Sequence, residues 1–389
     1  MAFLPDYIGA AAFGIKLGVI YPGCDLMGLV TEALEKCSRD RLLEDGDIVC
    51  ITESILARAQ DNYVTVEEVA KEVQKRLHVS ETSRVGVVFP ILSRNRFSLI
   101  LQGIAAAVPR GEVIVQLSYP TDEVGNELVP AELAALWERE GCRVITQADL
   151  GGQVFLHPIT KVNYLKLYRE SIEAVGAKAT LVLCNDPKHI TTFKPDGVIA
   201  ADIHSRNKTQ QAILAEYNNC INLTKLCCTG KKRSEWGLLG SNMSSGKKLK
   251  LAPRESGEFA CLVRDVVKEK VGIAVEVIIY GDGAYKDPST GIYELADPMP
   301  VFGSTPGVTG RFREGVKYKY IADTAIAEGK TPAEIECILA DMKKESHGQG
   351  HVETEGTTPR RMEDLIASLA DLISGSADAG TPVVLVKGF

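Results

Sequence analysis

No C-x-x-C pair occurs among the ten cysteines, which excludes a locally built zinc ribbon or thioredoxin-type motif. No G-x-S-x-G is present, so a serine nucleophile on a strand-to-helix elbow has no support. A dinucleotide fingerprint is also missing, since Gly281-Asp-Gly283-Ala-Tyr-Lys286 lacks the third glycine. Positive charge is not in surplus: 44 Lys and Arg face 51 Asp and Glu, a net charge of −7. That balance offers no broad field for nucleic acid or an anionic membrane, so an anionic substrate needs a local pocket. The longest apolar stretch, residues 97–108, is broken by Gln102 and falls far short of the ~20 residues of a membrane span. The first twenty residues carry no basic leader and are interrupted by Asp6 and Lys16. A signal peptide is not expected, and the chain reads as cytoplasmic.

What is present is ordinary globular composition, 45% hydrophobic and 24% charged over 389 residues. That length corresponds to roughly two to three domains. The cysteines are scattered singly except for Cys227-Cys228, and several sit inside apolar runs, so they read as reduced, buried thiols.

The fold class read from the pattern is α/β. In the first part, residues 1–84, Asp25 caps an amphipathic run and Asp45-Gly46-Asp47 turns into the strand Ile48-Val49-Cys50-Ile51. Thr65-Val-Glu-Glu68 forms a capping box before Val69, Val73 and Leu77. Between residues 85 and 230, apolar strands at 85–89, 113–117, 143–146, 180–184 and 198–201 alternate with helical segments, including 130–141 and 160–176. That alternation predicts βαβ units with a parallel sheet, and ligands beyond the carboxyl ends of its strands. The residues there are Asp122-Glu123, Asn185-Asp186 and Asp202-Ile-His204. In residues 231–389 a Gly-, Ser- and Lys-rich stretch (231–253) reads as a loop with a hairpin. A helix and the strand 275–280 follow, and then a long aperiodic loop, 281–310. Thr331-Pro-Ala-Glu334 starts a helix, and a helix at 362–373 precedes a final strand at 382–387.

Several groups are candidates for chemistry. Gly240-Ser241-Asn242-Met-Ser-Ser-Gly246-Lys247-Lys248 misses the phosphate-loop motif by one residue, and Lys248 stands where a Ser or Thr would meet Mg²⁺. Its backbone N–H groups and lysines still suit an anion; the alternative is a solvated loop. Asp282, Asp287, Glu294 and Asp297 place carboxylates just after a buried strand, the oxygen ligands Mg²⁺ or Mn²⁺ takes alongside phosphates. Asp287 and Asp297 precede proline, so turn chemistry is the alternative there. Arg94 and Arg96 stand at a helix N-terminus, where a cation opposes the helix dipole unless an anion is bound. Arg58 is a solitary cation among small residues. His347-Gly-Gln-Gly-His351 has half a zinc spacing but no third ligand nearby.

Taken together, the two ends of the chain resemble the coenzyme F420-0:γ-glutamyl ligase family. The resemblance rests on Pro22-Gly-Cys-Asp25-Leu26, Glu44-Asp-Gly46-Asp47-Ile-Val, and Ile55-Leu-Ala-Arg58-Ala59-Gln60. It continues in Trp236-Gly237-Leu-Leu-Gly-Ser241-Asn242, Leu249-Lys-Leu-Ala-Pro253, Val275 to Asp282, Glu363-Asp364-Leu-Ile-Ala, and the terminal Gly380-Thr-Pro382-Val-Val-Leu-Val-Lys-Gly388-Phe. It covers about half the chain and makes residues 85–230 look like an insertion.

The resemblance implies a mixed α+β core, an intertwined homodimer, and a ligase using GTP (or ATP), with Mg²⁺ or Mn²⁺ and an accompanying K⁺. Such a ligase phosphorylates a carboxylate acceptor, F420-0-like or folate-like, and L-glutamate then displaces the phosphate. On that reading Asp282, Asp287, Glu294 and Asp297 hold metal, while Ser241, Asn242, Gly246, Lys247, Arg94 and Arg96 hold the nucleotide. Arg58 and Lys247 assist catalysis. The family's loop metal aspartate falls on Leu239 here, an acidic or amide position falls on Ser376, and Asp282 is reached only by a one-residue shift from Gly281. Those departures motivate two rivals: a non-catalytic nucleotide- or anion-binding protein, or an enzyme with its site within residues 119–204.

Overall fold

A computed structural model of the chain describes residues 7–282, 285–286, 293–294, 300–313, 317–344, 360–374 and 380–389. The chain begins with β1 (Ala11–Ile15), α1 (Leu26–Arg39), β2 (Ile48–Thr52), α2 (Glu53–Ala59), β3 (Tyr63–Thr65) and α3 (Val66–Leu77). Next come β4 (Arg84–Val88), α4 (Phe97–Ala106), β5 (Glu112–Leu117), α5 (Ala131–Arg139), β6 (Ile145–Thr146), α6 (Tyr164–Glu173) and β7 (Lys178–Leu183). β8 (Gly197–Ala200), α7 (Arg206–Leu214), β9 (Cys220–Asn222), β10 (Asn242–Met243), β11 (Lys248–Lys250), α8 (Ser256–Val271) and β12 (Glu276–Tyr280) follow. The last elements are β13 (Tyr285–Lys286), β14 (Tyr293–Glu294), β15 (Val301–Ser304), β16 (Phe312–Arg313), α9 (Tyr318–Ala327), α10 (Pro332–Lys344), β17 (Arg360–Arg361), α11 (Met362–Ser374) and β18 (Val383–Lys387).

The two ends of the chain build one five-stranded sheet, ordered β1-β18-β2-β12-β15. Only β2 and β12 are parallel neighbours; the other pairs are antiparallel. Both faces are covered, which is why β2 is apolar at nearly every position. Val49 and Ile51 pack with Leu34 of α1 and Val263 of α8, whereas Ile48 and Cys50 pack with Ile366 and Ala370 of α11. Asp25 caps α1 by accepting the Gly28 N–H at 2.9 Å.

The six-stranded sheet comes entirely from the intervening stretch, ordered β6-β7-β5-β4-β8-β9. Its chain starts at β4, moves outward through β5 and β7, then returns to the other side of β4 for β8 and β9. That reversal puts a topological switch point between β4 and β8. Val85, Val87, Val113 and Val115 face α3, α4 and α6, while Val88, Ile114 and Val198 face α7 and the turn around Ile190.

A small third sheet, β10-β11-β3, links the two halves. Beside it Asn62, fully buried, donates to the carbonyls of Arg233 (2.7 Å) and Ala252 (2.8 Å).

The α/β class and the alternation of 85–230 appear in the structure as anticipated, and so does the capping box of Thr65 and Glu68. Some local expectations are corrected. The edge strand β6 runs antiparallel to β7 over two residues, an orientation an edge tolerates without a crossover. The helix expected from residue 160 begins at Tyr164, because Asn163 caps it and the His157 ring holds the preceding turn through the Thr160 N–H. β1 and β3 pair with the remote β18 and β11, so no local pattern announced them. All ten cysteines are free; five are buried, but Cys142 and Cys337 are exposed. No helix among the described residues is long and apolar enough to cross a membrane.

Candidate active site

The parallel register of β2 and β12, from Ile48↔Glu276 to Thr52↔Tyr280, sets their carboxyl ends side by side. β2 runs straight into α2, whose first residue is Glu53, with Thr52 as its cap. β12 runs into Gly281 and Asp282. Asp282 Oδ2 accepts a hydrogen bond from Arg96 Nη2 at 3.1 Å, with the two side chains 33% and 25% exposed. Arg96 precedes α4, so it belongs to the six-stranded unit. The anion expected at this cationic helix start is therefore, in the protein itself, the Asp282 carboxylate.

Glu53 completes the group. Its Oε1 accepts from Lys250 Nζ at 2.7 Å, and its Oε2 is buried with no hydrogen-bond partner among the described residues. Burial pushes the Glu53 carboxyl above the usual range; Lys250 pulls it back, Asp282 pushes it up further and Arg96 opposes. Two carboxylates and two cations thus feel one another at the junction of the sheets. Neither Glu53 nor Lys250 stood out in the sequence. The available signals were a carboxylate directly after a buried strand, and a lysine between the fully buried Leu249 and Leu251.

The other candidates are more dispersed. Met243 N–H donates to the Asn95 carbonyl at 2.8 Å, so the β10–β11 hairpin lies against the loop carrying Arg94 and Arg96. Gly246 and Lys247 form its exposed turn, with Lys247 near Glu67, and Arg94 is exposed. Ser241 is buried and its hydroxyl donates to the Leu238 carbonyl at 2.8 Å; Asn242 is half-buried in β10. Arg58 is exposed in the last turn of α2, beside Tyr63. Leu239 is 1% exposed in the apolar core with Phe97 and Ile100, so that position contributes packing and no carboxylate. Gly237 just before it holds φ +58°, and a Cβ there would meet the Leu223 carbonyl oxygen at 2.5 Å.

Asp287, Asp297, Ser376, Asp378, His347 and His351 lie outside the described residues, as does the side chain of Glu294. Among the described residues no group of three or more His, Cys, Asp or Glu side chains is gathered for a metal. In the six-stranded unit, Asp122 is consumed by the N–H groups of Leu92, Val124 and Asn126, while Asp186 is exposed and caps the next turn by accepting the Lys188 N–H. His204 is exposed and its backbone N–H donates to Glu123.

The model of the F420-0:gamma-glutamyl ligase family matches residues 14–388. The chain belongs to this family. No curated protein matches it. The family match runs through both sheets, so the Arg96–Asp282 contact joins two parts of one matched region.

Proposed function

We propose that this family member is a nucleotide-dependent ligase that joins L-glutamate to the carboxylate of F420-0 or a related acid. The observation that carries the reading is the facing pair of ion pairs, Asp282–Arg96 and Glu53–Lys250, at the ends of β2 and β12. A carboxylate oxygen of the acceptor forms a bond to the terminal phosphorus of GTP or ATP, and the nucleoside diphosphate leaves. The amino nitrogen of glutamate then bonds to the acyl carbon, inorganic phosphate leaves and the amine gives up a proton.

The donor set suits Mg²⁺ or Mn²⁺: hard oxygens from Asp282 and from the unpartnered Glu53 Oε2, completed by substrate phosphates. When bound, such an ion neutralises phosphate charge during transfer. The side chains of Arg96 and Lys250 exchange their carboxylate partners for phosphate oxygens, so no buried charge is left unmatched at any stage. Asn242, Gly246, Lys247 and Arg94 extend the phosphate contacts, Arg58 meets the acceptor carboxylate, and Asp287, Glu294 and Asp297 add oxygen ligands. The working form is a cytoplasmic homodimer.

The test is thermal stability with GTP or ATP, each with and without Mg²⁺ or Mn²⁺, since a ligand of the folded state raises the midpoint. A metal-dependent rise with one nucleotide, abolished by Asp282→Ala, is expected. No rise with either nucleotide, or the same rise in the variant, contradicts the assignment.

A further inference from the structure

A second concavity, open to the surface, lies on the six-stranded unit at the switch point between β4 and β8, with a volume of about 510 Å³. That size falls in the range of small-molecule sites, and the position is where doubly wound sheets bind ligands. Its walls include Phe89 at the end of β4, Tyr119 after β5, Asp202 after β8, and Lys208, Thr209 and Ala212 of α7.

Asp202 is 2% exposed. Its Oδ2 accepts from Thr209 Oγ1 at 2.8 Å, while Oδ1 has no hydrogen-bond partner among the described residues. A buried acceptor without a donor is costly, so the site is built for a group that brings one. Phe89, a bulky residue, is held at φ +56° by its N–H bond to the Gln116 carbonyl at 2.9 Å, which turns the chain out of β4 at the cavity's edge.

The same residues argue against an anion. The start of α7, the natural seat for a phosphate, is already filled by Glu123, whose carboxylate accepts the N–H groups of Ile203, His204 and Ser205 at 2.7, 2.9 and 2.6 Å. The turn after β4, Phe89-Pro90-Ile91-Leu92, has no glycine to let a pyrophosphate approach. Three carboxylates, Asp122, Glu123 and Asp202, stand with one lysine, Lys208, in the lining.

We propose that this crevice is a second small-molecule site, distinct from the Asp282 site, for an uncharged ligand of nucleoside size. One hydroxyl or amino hydrogen of the ligand bonds to Asp202 Oδ1, and its flat apolar body lies against Phe89, Tyr119 and Ala212.

The experiment is calorimetric titration of the full chain with adenosine and guanosine and with their 5′-monophosphates. At least one nucleoside binds one to one, and its monophosphate binds about tenfold more weakly or worse. Asp202→Asn keeps the Thr209 bond through its amide oxygen and turns an NH₂ donor toward the ligand's donor. Ala212→Phe fills the space from the helix side. Each weakens binding by about tenfold or more, and the second decides alone if the first does not fold. Asp282→Ala and added GTP leave nucleoside binding unchanged, which separates this site from the ligase reading. Absence of binding up to about 1 mM, a monophosphate that binds as tightly, retained binding in a folded variant, or displacement by GTP overturns the proposal.

Discussion

The Arg96 guanidinium and the Asp282 carboxylate meet at 3.1 Å, although the two residues stand 186 positions apart. One belongs to the start of α4 on the six-stranded sheet and the other to the end of β12 on the five-stranded sheet. Both side chains are partly exposed, so the contact is worth only ~1 kcal/mol or less to stability. Its weight is in placing a cation and a carboxylate at one point. Arg96→Ala and Asp282→Ala are each expected to leave the melting temperature nearly unchanged while lowering glutamate-dependent phosphate release by about 100-fold. Steady-state kinetics beside a melting curve checks both halves of that expectation.

The Glu53–Lys250 pair behaves differently, because its side chains are only 14% and 12% exposed. Removing one partner strands a charge in a poorly solvated place. Glu53→Ala and Lys250→Ala should each cost about 3 kcal/mol in urea denaturation, and the double variant clearly less than their sum. Additive costs would show that the two groups do not act as a pair.

Much of the scaffold was legible in the sequence, and the reason is local chemistry. The Asp25 cap, the Thr65–Glu68 box and the apolar strands β2, β4, β5, β7, β8, β12 and β18 are set by near neighbours along the chain, whereas β9 went unread and β15 lies in a stretch that read as an aperiodic loop. The strands β1 and β3 were not legible, since each is stabilised by a partner strand remote in sequence. The site behaves in the same way. Asp282 and Arg96 both stand out in the sequence, one for metal and one for phosphate, but their contact is purely tertiary. Glu53 was hidden inside an element start and Lys250 inside a strand alternation; only the fold shows a carboxylate oxygen left without a donor. Leu239 is held in the core beside Phe97 and has no room there for a charged group.

Asp202 supplies a pH signature. Burial raises its carboxyl from the ordinary 3.8 to about 6 in the folded protein. The folded state therefore binds a proton more tightly than the unfolded chain does. The associated stability is fully present below the unfolded value and is lost as pH rises through about 6. Asp202→Asn removes that dependence. Its stability relative to the parent should be larger at pH 8 than at pH 5 by ~1–2 kcal/mol, measured by urea denaturation. An identical difference at both pH values would contradict the buried titration.

The last strand is anchored by Lys387, which is 3% exposed. Its ammonium pairs with Asp47, lies 3.1 Å from Glu44 and donates to the Leu42 carbonyl at 3.0 Å. Lys387→Met leaves Asp47 buried without its cation and should cost about 3 kcal/mol. Asp47→Asn paired with Lys387→Met should recover part of that loss, and a thermal melt of the two proteins shows whether it does.

The site at the ends of β2 and β12 is proposed to make an amide at the expense of a nucleoside triphosphate. Its most direct test measures inorganic phosphate and amide product together, with GTP or ATP, Mg²⁺ or Mn²⁺, F420-0 and L-glutamate. Phosphate release is expected to require both glutamate and the acceptor, to run in step with the glutamyl product, and to fall about 100-fold in Asp282→Ala. Phosphate release that ignores glutamate, or product formation at the parent's rate in Asp282→Ala, would contradict the assignment.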